Sequence, residues 1–168
     1  MRSQHAGSGQ TSGLYTAEER RRRDASPWTL VQGILAPLQF AVFAVSLALV
    51  LRTLLTGEGA AAATASVVLK TLVLYAIMVT GSIWERDVFG RWLFAPAFFW
   101  EDVVSMLVLA LHTGYLAALL TGALSLTDQL LLALAAYASY VVNAAQFLWK
   151  LRRARLEAPG TLVTEGAR

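Results

Sequence analysis

Three acids, one histidine and three amides stand inside or at the edge of segments of this chain that are otherwise almost free of charge: Glu85, Glu101, Asp102, His112, Gln39, Asn143 and Gln146. A carboxyl withdrawn from water can keep its proton near neutrality and hand it to a substrate, while an amide or second carboxyl orients a water. A lone imidazole suits hydrogen bonding or ligation of a metal. Helical geometry brings residues three, four, seven or eleven apart onto one face. On that spacing Gln32, Gln39, Ser46 and Thr53 share a stripe, as do Thr71, Tyr75, Met78, Ser82 and Glu85. Glu101, Ser105, His112 and Tyr115 share a third, and Ser139, Asn143, Gln146 and Lys150 a fourth. Interhelical hydrogen bonding explains Gln, Asn and Ser in such seams, but not acids and a histidine. Glu101 is the better acid candidate because its stripe also carries Ser105 and His112; Asp102 is turned about 100° from it. The bland alternative for each acid is an ion pair with Arg86 or Arg91. His112 lies about 16 Å further along the helix than Glu101. Lys70 falls off the Thr71 stripe and is expected to snorkel outward.

The elements that position these residues are four apolar spans, at about 28–51, 64–84, 98–121 and 128–150, each near the ~20 residues a helix needs to cross a bilayer. The expectation is an all-α integral membrane protein with four transmembrane helices and an aromatic interfacial segment between the second and third. The membrane domain runs over 15–157. Residues 1–14 form a polar tail with no signal-peptide core, expected to be disordered, and 158–168 form a second tail. Ser26-Pro27 marks the start of the first span, since proline has no amide hydrogen to leave unpaired. Twelve Lys and Arg fall in the N-terminal tail, the second connection and the C-terminal tail, against Arg52 alone in the other two connections. That bias places both termini in the cytoplasm.

Composition agrees and excludes alternatives. With 57% hydrophobic and 15% charged residues and a mean hydropathy of +0.55, the apolar surface exceeds what an 18.2 kDa globule can hide. The absence of cysteine removes disulfide scaffolds, thiolate zinc sites and iron–sulfur clusters. The second histidine, His5, lies in the polar tail, so bis-histidine haem ligation is excluded. The basic residues flank apolar runs, which is membrane topology and not a nucleic-acid footprint.

The second connection, 85–97, mixes Arg86, Arg91, Phe89, Trp92 and Phe94 and leads into Phe98-Phe99-Trp100. Such residues belong at headgroup level. They form either an anchoring belt or an aromatic shelf, with Trp100 and Arg91, for a planar ligand dissolved in the membrane.

Four runs then make the chain recognisable: RRDASPWTLVQG (22–33), FAPAFFWEDV (94–103), LHTGYLAAL (111–119) and VNAAQFL (142–148). Together they resemble the 3-vinyl bacteriochlorophyllide hydratase family over 15–157. Arg86 departs from the Lys expected there in many members, keeping charge but not hydrogen-bond geometry. The resemblance implies a hydro-lyase of bacteriochlorophyll synthesis, adding water to the C3 vinyl group of a chlorophyllide-type tetrapyrrole to give a 3-(1-hydroxyethyl) product. It implies a multi-pass protein of the bacterial inner, intracytoplasmic photosynthetic membrane, with other pigment-synthesis enzymes or a second copy as conceivable partners. No cofactor is implied, magnesium being part of the pigment. On chemistry, Glu101, Asp102 and Glu85 are the catalytic candidates. His112, Trp100, Asn143, Gln146, Gln39 and Arg91 are the substrate-binding candidates, with His112 also an axial ligand for the pigment's magnesium.

Two other readings use the same features. A pigment-binding assembly protein would hold the macrocycle and leave the vinyl group intact; a transporter would move a small molecule across the membrane. Topology is directly testable. A reporter fused after Gly59 should lie outside and one at Arg168 in the cytoplasm, and equal cytoplasmic signal from both would overturn the four-span count.

Overall fold

The computed structural model describes residues 14–157 and contains five helices and, among the described residues, no strand. They are α1 (Ala17–Ala25), α2 (Pro27–Thr56), α3 (Ala60–Phe89), α4 (Phe99–Thr121) and α5 (Leu126–Glu157). The tails 1–13 and 158–168, and with them His5 and the expected disorder, lie outside the described residues. Helices α2 to α5 each hold a span long and apolar enough to cross a membrane. The chain is therefore a multi-pass membrane protein.

Burial is inverted relative to a soluble bundle. Leu55 and Leu120 are 84% and 85% exposed, with Leu30, Ile34, Phe40, Leu69, Leu72 and Leu107 also outward. The interior holds, beside apolar side chains such as Phe43, Val50, Val67 and Leu130, the polar residues Gln39, Ser46, Thr53, Lys70, Thr71, Glu85, Glu101, Asp102, Ser105, His112 and Asn143. In hydrocarbon the backbone is satisfied within helices and polar side chains turn to one another, so this arrangement fits lipid outside.

Helix α2 packs chiefly on α3 and α4 on α5, and the two pairs meet more lightly along a seam. Small side chains allow close approach there: Ala63, Ala118, Ala133 and Ala136 are buried. Between the α2–α3 and α4–α5 pairs, Ser46 Oγ hydrogen-bonds both Ser66 Oγ (2.7 Å) and Tyr137 OH (2.5 Å). Phe43 meets Tyr137 edge-on and Tyr140 at 5.0 Å.

Three features differ from the sequence-based expectation. Helices α2, α3 and α5 are longer, and Glu85 lies within α3, four residues before its end, instead of in a connection. Residues 17–25 form a helix of their own, started by a capping box in which Thr16 and Glu19 satisfy each other's backbone N–H groups. Bonds from Arg21 and Arg22 hold the Glu18 carboxyl below its ordinary range. Tyr15 stacks on Phe89 at 5.8 Å, and burial pushes its hydroxyl up. Ser26 Oγ donates to Asp87 and Arg22 to the Val88 carbonyl, tying α1 to the end of α3. Lastly, Lys70 does not snorkel outward. It is fully buried, on the same inward face as Ala63, Val67 and Leu74.

Candidate active site

At the end of the bundle where α1 lies, α3 finishes and α4 begins, and the loop between them is folded back over both. Gly90, at φ 75°, terminates α3 in the left-handed conformation that glycine adopts without strain. Phe94 adopts φ 59°, which is costly for a bulky residue. Its consequence is that two successive backbone N–H groups point at carboxyls: Phe94 N donates to Asp102 Oδ2 (2.8 Å) and Ala95 N to Glu85 Oε2 (3.1 Å). Strained backbone held in place by its surroundings is a feature of functional sites.

The carboxyls of Glu85, from α3, and Asp102, from α4, are thereby held under two successive residues of one loop. Neighbouring carboxyls can hydrogen-bond each other only where one of them carries a proton, because two carboxylates would only accept. Both residues are buried.

Glu101 turns to the other side of α4. Its carboxylate pairs with Lys150 Nζ of α5 at 2.5 Å, and the same ammonium donates to the Ala97 carbonyl. Asn143 Nδ2 donates to the Glu101 carbonyl (2.8 Å) and to Ser105 Oγ (2.9 Å), so α5 grips the first turns of α4. The acids therefore take neither Arg86 nor Arg91 as partner: Arg86 lies over the Trp92 ring at 4.3 Å, and Arg91 is exposed.

The aromatic residues divide. Phe98 is buried against Trp84, Phe89 and Phe147, and roofs the polar end of the bundle together with Tyr15. Trp92, Phe94, Phe99 and Trp100 face outward, Trp100 being 69% exposed. The residues that could make an aromatic shelf are thus split between an inner cluster and an outer rim. Trp100 and Arg91 lie on the outer surface and away from the buried carboxyls.

Deeper in the seam, His112 Nδ1 lies 2.8 Å from the Val108 carbonyl. A carbonyl only accepts, so Nδ1 carries the hydrogen and Nε2 presents a lone pair, which is buried and has no partner among the described residues. Its ring packs 5.9 Å from that of Tyr137. Gln39 is buried with neither end of its amide partnered among the described residues, and Gln146 Oε1 likewise has no partner among them. The structure thus brings together Glu85, Asp102, Glu101 and Asn143 at one end of the seam and leaves His112 and Gln39 with free polar atoms further along it. No group of three or more His, Cys, Asp or Glu that could hold a metal ion occurs among the described residues. A shallow apolar groove of about 300 Å³ on the outer side of α2 and α3, lined by Ala41, Val42, Val45, Ser66 and Leu69, is separate from these residues.

Sequence reasoning missed the loop N–H donors and the Lys150 partner of Glu101. Backbone direction leaves no residue-type signal, and the ion pair joins residues 49 positions apart. The helix 17–25 was missed as well, although the spacing of Thr16 and Glu19 carries a capping signal for its start.

Fold and site together define a small multi-pass helical membrane protein with a carboxyl pair and an imidazole buried along an internal polar seam. The 2-vinyl bacteriochlorophyllide hydratase family model matches residues 15–153, and the chain belongs to that family. The 2-vinyl and 3-vinyl wordings are naming variants for one family. Among curated relatives, a 2-vinyl bacteriochlorophyllide hydratase of Rhodobacter capsulatus is 67% identical over 156 residues, which is 90% of this chain and 91% of the relative. One of Cereibacter sphaeroides is 69% identical over 144 residues, 86% and 89% of the two chains. No solved structure matches.

The Glu101–Lys150 pair yields an energetic prediction. Removing one partner of a poorly solvated pair leaves the other uncompensated, so Lys150→Met alone should destabilise more than Lys150→Met combined with Glu101→Gln. A thermal or denaturant cycle in detergent should show a coupling of about 1–3 kcal/mol. Strict additivity would mean that the two side chains act independently.

Proposed function

We propose that this chain adds water to the C3 vinyl group of a chlorophyllide-type pigment, producing a 3-(1-hydroxyethyl) group in bacteriochlorophyll synthesis, and that the Glu85–Asp102 pair carries the proton. Membership of the family supports the reaction. The observation that supports the residue roles is the pair of successive loop N–H groups that hold a carboxyl of α3 and a carboxyl of α4 together.

Protonation of the terminal vinyl carbon leaves a cation on the carbon attached to the ring, where the macrocycle delocalises it. Water adds to that carbon and releases one proton. A carboxyl pair holding a single proton matches both halves: its acid form gives the first proton, and its carboxylates, facing the cation, accept the second. The pair ends each cycle as it began. The N–H groups of Phe94 and Ala95 fix the two carboxyls without supplying a proton acceptor of their own. The Glu101 carboxyl is instead engaged by Lys150 of α5. The acid role therefore moves from Glu101, favoured by its stripe, to Glu85 and Asp102. Asn143 and Glu101 hold α4 against α5 so that Asp102 meets Glu85.

His112 fits the pigment's own magnesium. A metal-binding histidine commonly donates its other ring N–H to a backbone carbonyl, which fixes the tautomer, and His112 does this with Val108. Asp102 and His112 are ten residues, about 15 Å, apart along α4. Side chains lean toward the N-terminus of their own helix, so His112 on α4 and Glu85 on the antiparallel α3 lean toward each other. A ring centred at His112 would then present its edge to Glu85. The seam is closed in this structure, and the light contact between helix pairs is where a flat ligand would enter. By the charge bias, the carboxyl end of the seam faces the cytoplasm and water.

Glu85→Gln and Asp102→Asn should each slow vinyl hydration about 10²–10⁴-fold while pigment still binds, as expected for loss of general acid–base catalysis. Glu101→Gln should cost much less. Near-normal turnover in the first two, with an inactive Glu101→Gln, would return the role to Glu101. Separately, His112→Phe should weaken pigment retention and shift its absorption with membrane insertion intact, whereas an unchanged affinity and spectrum would make His112 a packing residue. Retention of pigment with an intact vinyl group in the wild-type protein would favour the assembly-protein reading over the enzyme.

A further inference from the structure

Lys70 is the buried ionisable group that the hydration chemistry leaves unused. Its side chain is 0% exposed, and Nζ has no hydrogen-bond partner among the described residues. Its Nζ lies over the face of Tyr140, 3.9 Å from the ring centroid. An ammonium removed from water without an anion is among the costlier things a fold can hold, and a ring face offsets only part of that. A neutral residue of the same length would fill this space at no such cost. The position therefore fits a ligand that brings a negative charge.

Its place along the seam says which part of the ligand that would be. Lys70 and Glu85 are fifteen residues apart on α3, about 22 Å before side-chain reach is counted. The His112 level falls between them, since Tyr75 OH on α3 bonds Thr113 Oγ1, next to His112 on α4, at 2.9 Å. Lys70 is also within Coulombic reach of the His112 ring. The order along the seam is thus carboxyl pair, imidazole, ammonium. A pigment of the -ide class is a free acid: its propionate arm ends in a carboxylate, which the esterified pigment lacks.

We infer that Lys70 is the counter-ion for the propionate carboxylate of the bound pigment and sets the preference for free-acid over esterified pigment. This rests on the hydratase reading and adds a third contact to it, with the vinyl edge toward Glu85, the metal at His112 and the carboxylate at Lys70. Gln39, buried with an unpartnered Nε2, is a second donor on the α2 side of the interior.

The test compares hydration of a free-acid 3-vinyl pigment with that of its propionate methyl ester, using full-length protein in detergent. Wild type should prefer the acid in kcat/KM by about 10- to 100-fold, the size of a lost hydrogen bond to a charged group. Lys70→Met should treat the two pigments alike, at about the wild-type rate on the ester, and Lys70→Arg should keep part of the preference. Without pigment, Lys70→Met should be at least as heat-stable as wild type, because it removes an uncompensated charge. A Lys70→Met variant that still prefers the acid, or loses activity equally on both pigments, would overturn the role of Lys70 while leaving the hydratase reading in place. Wild type that hydrates neither pigment would instead overturn that reading, and this inference with it.

Discussion

The meeting of the Glu85 and Asp102 carboxyls under the loop 90–98 is the constraint around which the α1 end of the bundle is arranged. Two carboxyls from different helices can approach closely only if they share a proton, and they stay in place only if their remaining lone pairs are met. The loop 90–98 supplies those partners by turning the chain through a left-handed Phe94, a conformation that α3 and α4 on either side oblige it to keep. The neighbouring helices serve the same geometry. Lys150 and Asn143 reach across from α5 to the first turns of α4, and α1 is pinned to the last turn of α3 through Ser26, Arg22 and Tyr15.

Lipid outside the bundle makes this arrangement stable in a way water would not. Hydrocarbon offers helices no hydrophobic reason to associate, so packing of small side chains and polar contacts has to hold them together. Here the interior carries both: alanines at the close approaches, and the Ser46–Ser66–Tyr137 and Asn143–Ser105 bonds between helices. Within such an interior a group left without a partner stands out. Lys70, Gln39 and His112 Nε2 are three of these, and they lie along the same internal surface as the carboxyl pair.

Much of this arrangement could be read from spacing. Gln39, Ser46 and Thr53 recur every seven residues and are all buried, and Ser105, His112 and Tyr115 line the inner face of α4 as their 100° steps require. Lys70 misled because Thr71 beside it was taken to mark the inward stripe. A helix packed on more than one side buries a wider arc than one stripe, and both residues are inside. For Glu101 the spacing left the partner open. Its shared face with Ser105 and His112 is real, but a face does not name the partner, and Lys150 arrives from a different part of the sequence. The backbone donors at Phe94 and Ala95 had no side-chain signature at all. The pairing of Glu85 with Asp102 needed α3 and α4 to be placed side by side.

A proton shared by Glu85 and Asp102, as proposed, would be observable without substrate. In an infrared spectrum of the purified protein near neutral pH, a protonated carboxyl shows a C=O stretch that a carboxylate lacks. The account predicts that this band is present in wild type, disappears in both Glu85→Gln and Asp102→Asn, and persists in Glu101→Gln. A wild-type protein without the band, or one whose band vanishes only in Glu101→Gln, would contradict it.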